Sequence, residues 1–203
     1  MVELLLVIGV LTLLAAFLYP SLVTAKQKAQ RIRCTSYLKQ IGLGFRIWAG
    51  DNTNAYPMQI SVEAGGTKEF IASGETFRHF EVMSNELNTP VVLACPSDKG
   101  RTAARVFVPT LNNSNISYFV GLDATETEPQ RFLAGDRIIF KGVRPRDGVV
   151  GLTTNNFAGW NTDIHQGSIN VGLADGSVQG FSSNGLREAL GATGVRTNWL
   201  QIP

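Results

Sequence analysis

The chain has 203 residues, 44% of them apolar and 17% charged, with a formal net charge of +2. That length and apolar share suit one ordinary domain plus an appendage and exclude a chain disordered by composition. So small a net charge gives no argument for a nucleic-acid partner or an acidic substrate.

Leu4 to Ala25 contains no charged residue, and LLLVIGVLTLLAAFLY within it is almost purely aliphatic. About 20 apolar residues at about 1.5 Å each span a hydrocarbon layer of about 30 Å. The run lacks the polar face of a soluble core helix. A cleaved signal peptide carries a basic segment ahead of a shorter apolar run. Here nothing basic precedes the run and the helical pattern continues past it, so the expectation is a retained helix. Residues 1–25 are expected to form the half that takes lipid or other helices as its surroundings, and 26–203 a globular domain with the rest of the helix. Glu3 sits at the mouth of the run. A carboxylate at membrane depth is costly without a partner. Either the headgroup region and the helix N-terminus serve it, or the α-amino group of a neighbouring chain does. Pro20 lies within the helix, where its missing N–H and its ring predict a kink or local melting.

Beyond Ala25 the character changes. Lys26, Lys28, Arg31, Arg33 and Lys39 form a basic stretch, and Cys34, Leu38, Ile41, Phe45 and Trp48 recur at helical spacing. One apolar stripe on a basic helix predicts an amphipathic second half ending near residue 50. About 50 helical residues extend about 75 Å, too long for one compact domain, so part must protrude. Flanking basic residues hold their side of a membrane span cytoplasmic, which sets this cluster against an extracytoplasmic domain unless a basic leader reverses the bias.

WAGDNTNAYP reads as a helix end and a turn-rich connection, and TFRHFEVMSNELNTP (76–90) as a short helix stopped near Pro90. Short β-like runs follow at 91–95, 116–122, 131–140 and 148–154. SINVGLADGSVQGF (168–181) reads as two strands joined by Asp175-Gly176, both expected at positive φ in a two-residue hairpin turn. NGLREALGATG (184–194) reads as a short helix with a glycine-rich end. The fold class is α+β: a long protruding N-terminal helix whose second half packs on an antiparallel sheet.

Cys34 and Cys95 are the two cysteines; they either bridge helix to sheet in an oxidising compartment or pack as buried thiols. No CxxC is present and His79 and His165 are the two histidines, so spacing gives no zinc pattern. There is no GxSxG and no phosphate-binding loop, and the chain is not expected to be an enzyme. His165 is expected to pin the loop before the final hairpin. Asp98, Asp123, Asp136 and Asp163 occupy loop-like or strand-end contexts that suit calcium, without an EF-hand pattern. No other cofactor is expected.

The opening VELLLVIGVLTLLAAFLYPSLVTAKQKAQ resembles the N-terminal segment of type IV prepilins and type II secretion pseudopilins, with Glu3 and Pro20 at that family's spacing. CTSYLKQIGLGFRIWAGDN, FRHFEVMSNELNTPVVLACPSD, ISYFVGLDA and HQGSINVGLADGSVQGF resemble a bacterial pseudopilin subgroup with a histidine, nine residues and Asp-Gly near the C-terminus. His165, Asp175 and Gly176 fit that motif, for which the resemblance supplies no role. It implies a subunit of a helical pilus or secretion pseudopilus, a homo-oligomer through its N-terminal helices, stored in the bacterial inner membrane and assembled outside it. A prepilin peptidase and an assembly platform are the further partners implied. Glu3 would neutralise a neighbour's terminal amine, and Pro20 would mark a kinked or melted stretch. The family carries a basic leader and two residues ahead of the glutamate. A misread leucine start codon at Met1 would hide them, and the leader would reverse the charge bias noted above. The alternative reading is a membrane-anchored extracytoplasmic domain that binds a glycan or a secretion substrate.

Overall fold

One helix organises the molecule. In the computed structural model, which describes residues 2–139, 145–155, 164, 165 and 167–203 (backbone alone at 15, 17 and 18), α1 runs from Val2 to Asp51. The expected protruding helix is therefore present. It continues past Pro20 without a melted segment, and Thr24 Oγ1 donates to the Pro20 carbonyl at 2.8 Å. Every described side chain from Val2 to Ala29 is exposed. The stripe Cys34, Leu38, Ile41, Phe45 and Trp48 is buried throughout. Burial of each such side chain stabilises by about 1.5–3 kcal/mol, so this half of α1 is fixed to the domain and the first half is not.

The other α-helices among the described residues are α2 (Phe70–Ser73), α3 (Arg78–Glu81), α4 (Ser84–Leu87) and α5 (Ser183–Ala192). The single helix expected at 76–90 is two one-turn pieces, because Met83 leaves helical geometry between them. The strand expected at 91–95 is instead a 3-10 turn, Pro90–Leu93. Pro90 fixes its first φ, and Thr89 accepts the Val91 N–H as its cap.

Among the described residues six strands form one antiparallel sheet: β1 (Tyr118–Gly121), β2 (Phe132–Asp136), β3 (Val149–Leu152), β4 (Ile169–Leu173), β5 (Val178–Phe181) and β6 (Asn198–Gln201), in the order β3-β6-β1-β2-β4-β5. The run expected over 131–140 ends as a strand at Asp136 and turns through Arg137–Ile139; Phe140 lies outside the described residues. Between β4 and β5 the connection is one residue longer than the expected two. Gly176 N donates to Leu173 O and Leu173 N donates to Ser177 O, with Gly176 alone at positive φ (85°). That is a three-residue loop with glycine at the left-handed position.

Period-2 alternation sorts the sheet into two cores. Tyr118, Val120 and Leu133 face α1, together with Phe45 and Phe80. Phe119, Ile169, Val171 and Leu173 face the opposite way, where Leu186 and Leu190 of α5 cover them. The sheet is thus sandwiched between α1 and α5.

Candidate functional site

Two features of α1 stand out: its bare apolar half and a buried polar cluster where its packed half begins. The most apolar 18-residue window of the helix is 0% buried by the rest of the chain. By length and composition it meets the requirement for crossing a membrane, which a signal sequence near an N-terminus also meets. Glu3 is exposed in the first helical turn. Along the packed half, Ile32, Leu43 and Ile47 are 70%, 57% and 46% exposed, so apolar surface continues on the outer side of the helix.

Under that packed half, Cys34 and Cys95 are joined by a disulfide across a sequence separation of 61, with Cα atoms 5.3 Å apart. The bridge ties α1 to the turn after Pro90 and closes a loop worth about 4 kcal/mol in the chain-entropy account. His165 Nε2 lies 3.4 Å from Cys95 Sγ and 3.7 Å from Asp136 Oδ2, with its side chain 1% exposed. Its backbone takes the left-handed φ of 55°, so the chain bends there to turn the ring inward. Asp136 Oδ2 accepts from the backbone N–H and the side-chain amide of Asn170. Burial nevertheless drives the Asp136 carboxyl up to about 7. Burial, with the nearby Arg31 charge, lowers His165 to about 4. Near neutral pH the imidazole is uncharged, so this close approach is not an ion pair. Asp136 Oδ1, His165 Nδ1 and Tyr118 Oη are buried without hydrogen-bond partners among the described residues.

The motif's other end is 10 residues on. Arg46 of α1 donates to the Asp175 carbonyl at 3.3 Å, and its side chain is what a Cβ on Gly176 would meet. Asp175 Oδ1 accepts from Ser177 N and closes the turn. His165 and Asp175-Gly176 therefore both touch what α1 carries, one at the Cys34 end and one at Arg46.

Among the described residues, the aspartates expected to suit calcium form no metal-binding group with one another. Burial pushes Asp98 up, but the Arg137 guanidinium, through two hydrogen bonds and its charge, with further hydrogen bonds from Ser117 and Gly100 N, outweighs it and holds the carboxyl below its usual range. Asp123 Oδ2 accepts from Trp199 N, Asp136 faces Asn170, and Asp163 lies outside the described residues. Trp48 is buried, Trp199 is half-exposed and Trp160 lies outside the described residues, so no tryptophan cluster forms among them.

His79 is a separate buried centre that sequence reading passed over. Gln201 Nε2 donates to the Ile71 and Asp147 carbonyls, which aims its Oε1 at the ring. His79 Nε2–H donates to that oxygen at 2.6 Å, and Nδ1 accepts from the Thr67 hydroxyl at 2.6 Å. The neutral tautomer is thereby fixed. An open groove of about 280 Å³ lies elsewhere, between β5 and α5, lined by Gln130, Phe132, Gln179, Phe181 and Glu188 among others. No family model matches this chain, and no curated protein or solved structure compared with it gives a match.

Proposed function

We propose that this chain is a structural subunit of a helical filament of the type IV pilin or pseudopilin kind, held in a membrane through residues 1–25 before assembly. One observation carries the reading: the apolar window of α1 is long enough to span a bilayer and its own domain covers none of it. Exposed apolar surface of that size requires another apolar partner, either lipid or further copies of the helix. A head-to-tail contact repeated between copies builds a filament, and the apolar outer residues Ile32, Leu43 and Ile47 extend that contact surface toward the domain. The Cys34–Cys95 bridge suits assembly outside the cytoplasm. Glu3, in the first turn, is the group that meets a neighbour's terminal amine.

Electron microscopy of the purified full chain, released from detergent, tests the reading. Regular filaments of uniform diameter are expected. Particles that stay monodisperse as detergent is withdrawn, with α1 reinserting into liposomes, would count against it.

The groove between β5 and α5 favours a second reading, a membrane-anchored binding domain. Phe132 and Phe181 stack there with centroids 6.3 Å apart, beside the polar side chains of Gln130, Gln179 and Glu188. Phe181, which is half-buried over the buried Phe132, offers one aromatic face, and such a face rimmed by polar side chains suits a neutral sugar. Oligosaccharide-induced NMR shifts confined to these residues would favour this reading, and a glycan panel without any response would remove it.

A further inference from the structure

Cys34 on α1, Cys95 after the Pro90–Leu93 turn and His165 ahead of β4 come from three separate elements. Their two sulfurs and a ring nitrogen nevertheless lie within 4.8 Å of one another, all buried. Asp136 stands beside them, 1% exposed, with Oδ2 3.7 Å from His165 Nε2 and Oδ1 without a partner among the described residues. Two thiolates, a neutral imidazole and a carboxylate are the donors that a borderline-soft divalent cation takes.

Distances decide whether they can act together. In a tetrahedron with metal–sulfur bonds of about 2.3 Å and metal–nitrogen or metal–oxygen bonds of about 2.0–2.1 Å, adjacent sulfur and nitrogen ligands stand about 3.5 Å apart. Nitrogen and oxygen ligands stand about 3.3 Å apart. The observed 3.4 Å and 3.7 Å are already near those values. The two sulfurs must separate to about 3.8 Å, which rotation about the Cα–Cβ bonds provides, and Asp136, outside the trio that lies within 4.8 Å, must close on them to complete the shell.

We infer that this cluster is a redox-gated metal site. Bridged, it holds no cation; reduced, Cys34, Cys95 and His165, with Asp136 at the fourth position, hold one zinc-like divalent cation. The opening step balances with a dithiol as reductant. The dithiol gives up two electrons and two protons as it closes its own disulfide, and the Cys34–Cys95 bridge becomes two thiols. The cation then displaces both thiol protons to solvent, and both sulfurs bind as thiolates. The metal replaces the covalent tie between α1 and the Cys95 turn and adds the His165 segment to it. This goes beyond the filament reading and does not depend on it.

The test uses the full chain in detergent micelles, reduced with a phosphine, which competes weakly for metal. Cobalt(II) is the probe. The reduced chain is expected to bind one equivalent, with a thiolate-to-metal charge-transfer band and intense tetrahedral d–d bands that zinc(II) abolishes. The bridged chain is expected to bind none. His165→Ala is expected to weaken zinc(II) binding by about 100-fold and Asp136→Asn by about tenfold, the range over which even supporting partners act. Circular dichroism in parallel reads folding. Zinc(II) is expected to raise the melting temperature of the reduced chain and leave the bridged chain unchanged. A reduced chain that gives no thiolate–cobalt band, whether folded or unfolded, overturns the proposal. A His165→Ala chain that binds zinc(II) as tightly as the parent overturns it too.

Discussion

On acidification from about pH 7 to about pH 4 the buried neutral imidazole of His79 is expected to take about 3 kcal/mol from the stability of the globular domain, and His79→Gln is expected to remove that contribution. Burial lowers His79 from 6.5 to about 4, with the Gln201 hydrogen bond opposing only part of the shift. The sign follows from which state takes the proton. As pH falls through about 6.5 the unfolded imidazole protonates, while the folded one stays neutral until about 4. In that window the unfolded state binds the extra proton, so stability falls with acid. A difference of about 2.5 units at about 1.36 kcal/mol each gives a loss of about 3 kcal/mol, complete below about pH 4. His165 is lowered in the same direction and Asp136 is raised, which acts in the opposite sense, but both are present in both chains and subtract out. The assay is denaturant unfolding of parent and variant across that pH range, read by the fluorescence of Trp48, which is buried at 6% exposure. The absolute stability of the variant is immaterial; its pH slope is the quantity compared. Superimposable slopes would refute the neutral-imidazole account of His79.

Replacing both Cys34 and Cys95 by Ala removes a loop constraint of about 4 kcal/mol. At about 2–4 °C per kcal/mol the melting temperature should drop by roughly 8–16 °C, and a shift of a degree or two in differential scanning calorimetry would contradict it. Glu3→Gln and Glu3→Leu should both enter membranes normally yet appear poorly in sheared filaments, since an apolar core without the acid lacks the partner for an incoming amine. Assembly of both variants at the parent level, by quantitative blotting of the two fractions, would reduce Glu3 to a helix-end charge. Gly121→Ala should cost at least about 3 kcal/mol, because its Cβ would overlap the Phe132 carbonyl across the β1–β2 pair. An unchanged denaturation midpoint would mean that the strands do not pair in this register.

The parts legible in the sequence are those where a period repeats over many residues. α1 could be placed to within a residue at its far end because its apolar run and then its stripe are long and unambiguous. β4 and β5 could be placed because turn residues separate two apolar runs. What failed was local. VVLAC has the composition of a strand, yet Pro90 ahead of it and the Thr89 cap wind its first residues into a 3-10 turn. β6 was missed because Asn198–Gln201 is four residues with no turn signal before it; it is held by pairing with β1 and β3, contacts distant in sequence. Of the polar cluster only the Cys34–Cys95 pairing was legible, as one of two alternatives. Its members, at 34, 95, 136 and 165, share no spacing, and only the packing of α1 on the sheet brings them together.

That packing also gives a physical account of the interval between His165 and Asp175-Gly176. Cys34 and Arg46 are 12 residues apart on α1, about 18 Å along its axis. β4, with five residues at about 3.3 Å each, covers about 16 Å. A strand of that length laid against the helix has its two ends near those two residues. At one end the left-handed bend at His165 turns the ring onto the disulfide that holds Cys34. At the other, the tight loop at Gly176 lets the Asp175 carbonyl reach Arg46, where a side chain in place of Gly176 would both strain the backbone and crowd the guanidinium. Between them Asn170 turns its amide inward to Asp136 and the alternate residues Ile169, Val171 and Leu173 build the opposite core. An insertion or deletion of one residue between the two ends would reverse which face meets α1, removing Asn170 from Asp136 and placing an isoleucine or valine over a buried carboxyl. The nine-residue interval thus matches the length of strand between two contacts on one helix, and both of its ends lie against the long helix or the disulfide it carries.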